Sequence, residues 1–342
     1  MANFYINPNN VVHELPKNNK PKFFMFGVPS YTNLGDQAIS LAERKYIEAE
    51  FPEYQYIEIV EEDDDEAIPV VKKNLSSADI IAFTGGGNMG NLYLDHEKAR
   101  RKVFSTFTDN LTISFPQSIH FEDNEAGLYE RKLSQEAYQK NPNLVLVARD
   151  AQSYHRMQTT FNNKVINKVI FTPDMVLYMQ SKKAPKSKRQ GSLFVLRRDS
   201  EKVVKDKVIQ NMKALLRAYQ PIEFTDTVLD TVKTITPDTR EKLFRKELSL
   251  FSGQKLIITD RWHAMVFSVL TGTPCLLMGN SYGKGKHAYF DWLEHINWVS
   301  YTDEEDTERI KQQINTLMEA KTHAYDLIPD FKQLHDLIAH NR

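Results

Sequence analysis

The chain has 342 residues, length for about two domains of ordinary size, and its composition of 41% hydrophobic and 26% charged residues is that of a folded, soluble protein. Its 44 basic and 45 acidic side chains leave a formal net charge of -1, which excludes a global pull toward nucleic acid or anionic lipid and leaves room for a local basic pocket. The single cysteine, Cys275, excludes an intrachain disulfide framework and a cysteine-rich zinc cluster, and its apolar neighbours make it a buried thiol rather than a nucleophile. The start MANFYINPNN lacks the basic and apolar regions of a secretory signal, and no stretch approaches the roughly 18 apolar residues of a spanning helix. The expected location is cytoplasmic, with a peripheral position at the inner face of the membrane left open through a partner or a lipid-linked substrate.

The first 20 residues are polar with two prolines, so the first domain is expected to start near Pro21. FFMFG at 23–27 is a buried strand ending in glycine, and a helix follows from about Asp36. Further strands are expected at 56–60, 79–85, 111–115, 144–149 and 168–172, with helices near 94–108, 123–139 and 151–161. Residues 181–191 carry five basic side chains and little to bury, which marks a linker or exposed loop. A second alternating half runs from 192, with strands at 192–198, 255–260 and 273–279 and helices near 202–218, 238–250 and from 263; helices near 303–319 and 322–339 close the chain. Apolar strands alternating with helices predict an α/β fold of two Rossmann-like lobes, 21–180 and 192–342, facing across a cleft at the carboxyl ends of their strands.

The chemistry-bearing residues gather just after these strands. Ser30, Thr32, Asn33 and Gly35 form a polar loop before the first helix, whose amino terminus offers unpaired N–H groups to an anion. The loop matches neither Walker A nor GxGxxG. Asp36 reads either as a helix cap or as a group that orients a substrate hydroxyl. TGGGNMGN at 84–91 brings backbone close to a ligand or a neighbouring loop through Gly86 and Gly87, with Asn88 as an amide for a sugar. Gln117 and Ser118 are candidate pocket donors, and His120 is open between cleft and core. Arg149 ends a strand where a guanidinium can hold a carboxylate or phosphate, the alternative being an ion pair with Asp150 or a helix. Asp174 is open between structure and catalysis.

In the second half, Arg197 is a further anion contact, and ITDRWHAM delivers Asp260, Arg261, Trp262 and His263 together. The spacing of Arg261 and His263 can expose both at one opening, where histidine moves a proton and arginine stabilises growing negative charge. NSYGKGK adds Asn280, Tyr282 and Lys284 on a glycine-flexible loop, either a phosphate or sugar gate or a solvated basic loop.

In this order, GDQAI, TGGGNMG, FPQSIHF, LVLVARD, DRWHAM and NSYGKGK closely resemble the polysaccharide pyruvyl transferase family, and are similar to its members in bacterial exopolysaccharide clusters of the Bacillus biofilm type. The resemblance covers most of residues 21–300. It implies a GT-B-like pair of lobes, phosphoenolpyruvate as co-substrate with no further cofactor, a saccharide acceptor that is free or lipid-linked, and a pyruvate ketal as product. It implies donor binding by Arg149 and Arg261 and catalysis by His263, and places Asp36 in the family's first acidic motif. Trp262 departs from the smaller aliphatic residue of some relatives, leaving a sugar-stacking or shape role. Exopolysaccharide assembly enzymes are expected partners, and no metal is expected. A nucleotide-sugar-dependent GT-B glycosyltransferase and a noncatalytic saccharide-binding scaffold are the alternatives.

Overall fold

The computed structural model describes residues 1–7, 10–161, 168–180, 188–199, 202–218, 220–279 and 283–341. Two sheets organise them. The first contains β1 (Phe4–Asn7), β2 (Asn10–Val12), β3 (Lys22–Val28), β4 (Gln55–Val60), β5 (Ile80–Phe83), β6 (Gly86–Gly90), β7 (Thr112–His120), β8 (Leu144–Ala148) and β9 (Lys168–Phe171). Its order is β2-β1-β4-β3-β5-β7-β8-β9, with β6 beside β7. Around it lie α1 (Leu34–Glu50), α2 (Asp64–Asn74), α3 (Leu94–Thr106), α4 (Glu125–Tyr138) and α5 (Ala151–Thr160). The second sheet, β10 (Ser192–Val195), β11 (Ile222–Thr225), β12 (Leu256–Thr259), β13 (Cys275–Met278) and β14 (Val299–Thr302), is parallel throughout in the order β11-β10-β12-β13-β14. Its helices are α6 (Asp206–Leu215), α7 (Pro237–Ser252), α8 (Trp262–Thr271), α9 (Lys284–Ala288), α10 (Thr307–Glu319) and α11 (Lys332–Ala339).

The strands expected from continuous apolar runs form because both of their faces are covered: every residue of β3, β5, β8, β10, β12 and β13 is buried. The structure departs from the sequence reading where that signal is weak. The polar start, expected to precede the first domain, forms an antiparallel hairpin, β1 and β2, that extends the sheet beside β4. The glycine run forms β6, and β7 continues through Pro116 to His120, with an irregular register between Ser114 and Gln117. β11, with an exposed pattern, and the short β14 complete the second sheet. The closing α11 and the turn before it lie back on the first half, where Phe331 of the turn packs on Tyr46 and Tyr178 and His335 of α11 on Phe51.

Each sheet has a strand-order reversal, at β4-β3-β5 and at β11-β10-β12, and loops leaving opposite sides of such a point leave a crevice between them. The two crevices face each other. The lobes are also joined directly: Leu34 N–H donates to Thr227 O (2.9 Å), Leu229 N–H to Thr32 O (3.0 Å) and Ile235 N–H to Ser30 O (2.8 Å). Behind this seam the fully buried Arg240 of α7 donates to Gln37 Oε1 (2.7 Å) and Glu58 Oε2 (2.8 Å) of the first half.

Candidate active site

A cavity of about 410 Å3 occupies the facing crevices. Asn33 and Asp36 reach it from the loop and helix after β3, Gly87 and Asn88 from β6, and Arg149 from the end of β8. Arg197 and Asp199 enter after β10, and Asp260, Arg261, Trp262 and His263 after β12.

Asp174, after β9, is the hub of the first-half cluster. Its Oδ2 accepts from Arg149 Nη1 (2.7 Å) and Trp262 Nε1 (3.2 Å) and lies 3.3 Å from His263 Nε2, an ion-pair contact off the ideal hydrogen-bond line. Its Oδ1 caps the following turn at Val176 N–H (3.0 Å). Complete burial would push this carboxyl up, but His263 first, then Arg149 and the Val176 amide, hold it well below the usual carboxylate range. Arg149 Nε donates to Ser118 Oγ (2.9 Å), whose hydroxyl donates to Asp150 Oδ2 (2.6 Å). Asp150 caps α5 at Ser153 N–H instead of pairing with Arg149.

The second-half cluster is built differently. Arg261 presents Nε and Nη2 to the two oxygens of buried Asp226, both at 2.8 Å, and Nη1 to Asp199 Oδ2 at 2.8 Å. Burial would lower the guanidinium's pKa, but Asp226, Asp199 and Asp260 outweigh it and raise it, so Arg261 is held charged. Arg197 Nε lies 2.8 Å from Asp199 Oδ1, and its backbone N–H donates to Asp260 Oδ1 (2.9 Å). Asp260 Oδ2 is buried with no hydrogen-bond partner. Burial, partly offset by the Arg197 amide and the two arginines, pushes the Asp260 carboxyl up to about 6.

Between the clusters stands the amino terminus of α1. Its cap is Asn33, whose Oδ1 accepts Gly35 N–H (3.0 Å) and whose Nδ2 donates to Asp36 Oδ2 (2.7 Å), so the capping role considered for Asp36 falls to Asn33. The His263 ring lies against Gly35. A Cβ there would run into Nδ1 and come within 2.7 Å of Cγ, so a glycine is needed for room and not for its backbone angles. The remaining wall carries Tyr31, Tyr93 and His96. His96 Nδ1 lies 3.4 Å from Glu61 Oε2; burial first, then Arg100, lowers the imidazole, while burial and Glu62 push Glu61 up to about 7.

A model described as polysaccharide pyruvyl transferase matches residues 33–282, a span that carries these cavity residues apart from Tyr31 and Thr32. The chain belongs to the polysaccharide pyruvyl transferase family. It is 50% identical over 331 residues to General stress protein 30 of Bacillus subtilis (strain 168), covering 96% of this chain and 95% of that protein. It is 31% identical over 287 residues to Pyruvyl transferase 1 of Schizosaccharomyces pombe, covering 80% of this chain and 70% of that protein. Among solved structures, UDP-GlcNAc 2-epimerase from Methanocaldococcus jannaschii has a TM-score of 0.51 at 12% identity, over 94% of this chain and 99% of that one. At that identity the likeness shows the fold alone, a GT-B-like pair of Rossmann-like lobes.

Of the residues this pyruvyl transferase was expected to bring together, Asn33, Asp36, Gly87, Asn88, Arg149, Arg197, Arg261, Trp262 and His263 line one cavity. Gln117 and Ser118 do not; both are buried behind the wall. β7 directs Gln117 Nε2 to Thr84 O (2.9 Å) and Asn88 Oδ1 (3.2 Å), so it holds the glycine segment from below. Gly86 likewise stays out of the lining and opens β6 at φ 142°, a backbone angle that favours glycine. Trp262 gives its N–H to Asp174 and is buried, so its indole supports the cluster more than it offers a free stacking face. Lys284 opens α9, and Asn280 and Tyr282 lie outside the described residues. Cys275 is fully buried, its thiol pushed up to about 12 by burial. Among the described residues no group of three or more His, Cys, Asp or Glu side chains is placed to hold a metal ion, and no helix is long and apolar enough to cross a membrane.

The sequence reading missed Asp226, Asp199, Tyr31, Tyr93 and His96, left Asp174 open between structure and catalysis, and gave Gly35 no role beyond the polar loop. Asp174 and Asp199 carried a usable signal, an acid within a few residues of a strand end. Asp226 carried none, because β11 lacks the apolar run that would have announced it.

Proposed function

We propose that this pyruvyl transferase uses phosphoenolpyruvate as donor and two hydroxyls of a saccharide as acceptor, forming a cyclic pyruvate ketal and releasing phosphate. The observation that carries the reading is the convergence of Arg149, Arg197, Arg261 and His263 on one cavity, with Arg149 and His263 tied to the same oxygen of Asp174. Three guanidiniums suit a ligand with both a carboxylate and a phosphate.

In this reading Asp174 engages Nε2 of His263 and orients the ring, which packs against Gly35, and the imidazole supplies a proton to the donor. The proton goes to the donor's methylene carbon, and the adjacent carbon, made electrophilic, takes the first sugar hydroxyl. The arginines stabilise the charge that leaves with phosphate. A second hydroxyl then closes the ketal, and each hydroxyl gives up its proton. In this reading Asp36, hydrogen-bonded to Asn33 at the same helix end, accepts one of them. The acceptor belongs to exopolysaccharide or other cell-surface glycan assembly in the cytoplasm, free or lipid-linked at the inner face of the membrane, in company with other assembly enzymes. No cofactor or metal enters the scheme.

The test is mass analysis of β-galactoside, N-acetylglucosamine and N-acetylmannosamine acceptors incubated with phosphoenolpyruvate, with phosphate release measured in parallel. A gain of about 70 Da per acceptor with one equivalent of phosphate is the expected result. Release of UDP from a nucleotide sugar with no consumption of phosphoenolpyruvate would overturn it.

A further inference from the structure

We infer that Asp199 is an internal competitor for the donor's anionic group, a carboxylate that bridges two cleft arginines and must be displaced before a ligand can take both. This rests on the reading of the cleft as a phosphoenolpyruvate site. Asp199 places Oδ1 2.8 Å from Arg197 Nε and Oδ2 2.8 Å from Arg261 Nη1, as an anionic ligand lying between the two guanidiniums would.

The two carboxylates on Arg261 are not alike. Asp226 is 4% exposed at its side chain and spends both oxygens on one guanidinium, the geometry of a permanent support. The Asp199 side chain is 44% exposed while those of its partners Arg197 and Arg261 are only 7% and 10% exposed. It sits on the loop after β10, where it can swing to water at little desolvation cost, and an exposed charge gives up only a modest pairing energy on leaving. The arginines cannot follow it: Arg261 is fixed by Asp226, and the backbone of Arg197 is tied to Asp260.

The consequence follows from linkage. If the arginines are free of Asp199 in only a fraction of molecules, the apparent dissociation constant of every ligand that needs both rises by the inverse of that fraction. Affinity for phosphoenolpyruvate and for the released phosphate is loosened by the same factor. Asp199 thus keeps both the donor and the released phosphate loosely bound without changing the preference between them.

The experiment titrates the full chain with inorganic phosphate and with phosphoenolpyruvate by calorimetry, and measures phosphate inhibition of transfer, in the wild type, Asp199→Asn and Asp199→Ala. Asp65→Asn, on the surface and paired with Lys102, controls for the loss of one negative charge. Both Asp199 variants should bind phosphate and phosphoenolpyruvate about tenfold more tightly, with the phosphate inhibition constant falling by a matching factor and Asp65→Asn within about twofold of wild type. Unchanged or weaker phosphate binding in both variants, with a wild type that binds phosphoenolpyruvate normally, would overturn the inference and leave the donor assignment standing. Tighter phosphate in both variants without phosphoenolpyruvate binding in any protein would support the competitor and overturn the donor assignment. No anion binding in any of the proteins would overturn both.

Discussion

The two halves of the molecule each bring an arginine to the cleft at the end of a strand, and they treat it in opposite ways. Arg149 shares one carboxylate oxygen of Asp174 with Trp262 and His263 and gives its Nε to a serine hydroxyl. Arg261 has all three of its nitrogens on carboxylates, two on Asp226 and one on Asp199. The first cluster is economical in charge: one anion orients a guanidinium, an indole and an imidazole. The second is self-neutralised and holds its charge in reserve. A strand-end arginine is therefore not a single kind of site, and its neighbours in space decide whether it binds at once or after an exchange.

The largest expected break in this comparison is at the imidazole. His263→Ala should lower kcat by about 1,000-fold, with phosphoenolpyruvate binding by calorimetry within about twofold of wild type, the signature of a proton-transfer group. Near-normal turnover would remove the histidine from the chemistry.

The next compares the two supporting carboxylates. Asp174→Asn should cost about 100-fold in kcat, because three donors lose the charge that orients them, whereas Asp226→Asn should act mainly on donor KM, by about tenfold. Asp174 also has a pH signature. Its folded pKa lies below the unfolded value, so its contribution to stability is complete above about pH 4 and is lost as pH falls through the lower folded value. The gap in Tm between wild type and Asp174→Asn should accordingly narrow in acid; a gap independent of pH would refute this.

Gly35→Ala sharpens the comparison by moving only the ring between the clusters. The added methyl meets His263, so kcat should fall by about tenfold while Tm shifts by no more than a few degrees, since Gly35 lies in a helical turn that alanine favours. Steady-state kinetics and thermal melts on the same preparation separate the two effects.

The last expected effect falls on stability and leaves the comparison of turnover aside, and it lies at Asp260 of the second cluster. Asp260 has a folded pKa of about 6, above its unfolded value near 4, so its ionisation costs stability as pH rises through that window, by up to about 3 kcal/mol above it. Asp260→Asn keeps an acceptor for the Arg197 amide and should raise Tm at pH 8 with little change near pH 4. A lower Tm at pH 8 would show that the carboxylate is held by more than the partners seen here.

Much of the fold was legible because parallel strands covered on both faces must be apolar without a break, as IIAF in β5, LVLVA in β8 and CLLM in β13 are. The hairpin β1–β2 and strand β11 were not, because edge strands solvate one face and lose that signature. The same limit applied at the site. Arg149, Arg261 and His263 stood out because charged groups ending apolar runs are conspicuous. Gln117 and Ser118 stood just past the expected strand end at 115, but β7 runs on to His120 with both faces covered, so the two side chains are buried on either side of it.

The sequence by itself determined two α/β halves, the order of their loops and the residue types that end the strands, because these follow from local hydrophobic pattern and turn chemistry. Tertiary structure alone decided that Asp174 serves three partners, that Asp226 and Asp199 divide Arg261 between them, and that Gly35 is the floor beneath His263. Those contacts join residues 35 and 263, 174 and 262, or 226 and 261, and no local pattern encodes such pairings. They exist because two sheets, each opening at its strand-order reversal, are fastened face to face by the 227–235 segment.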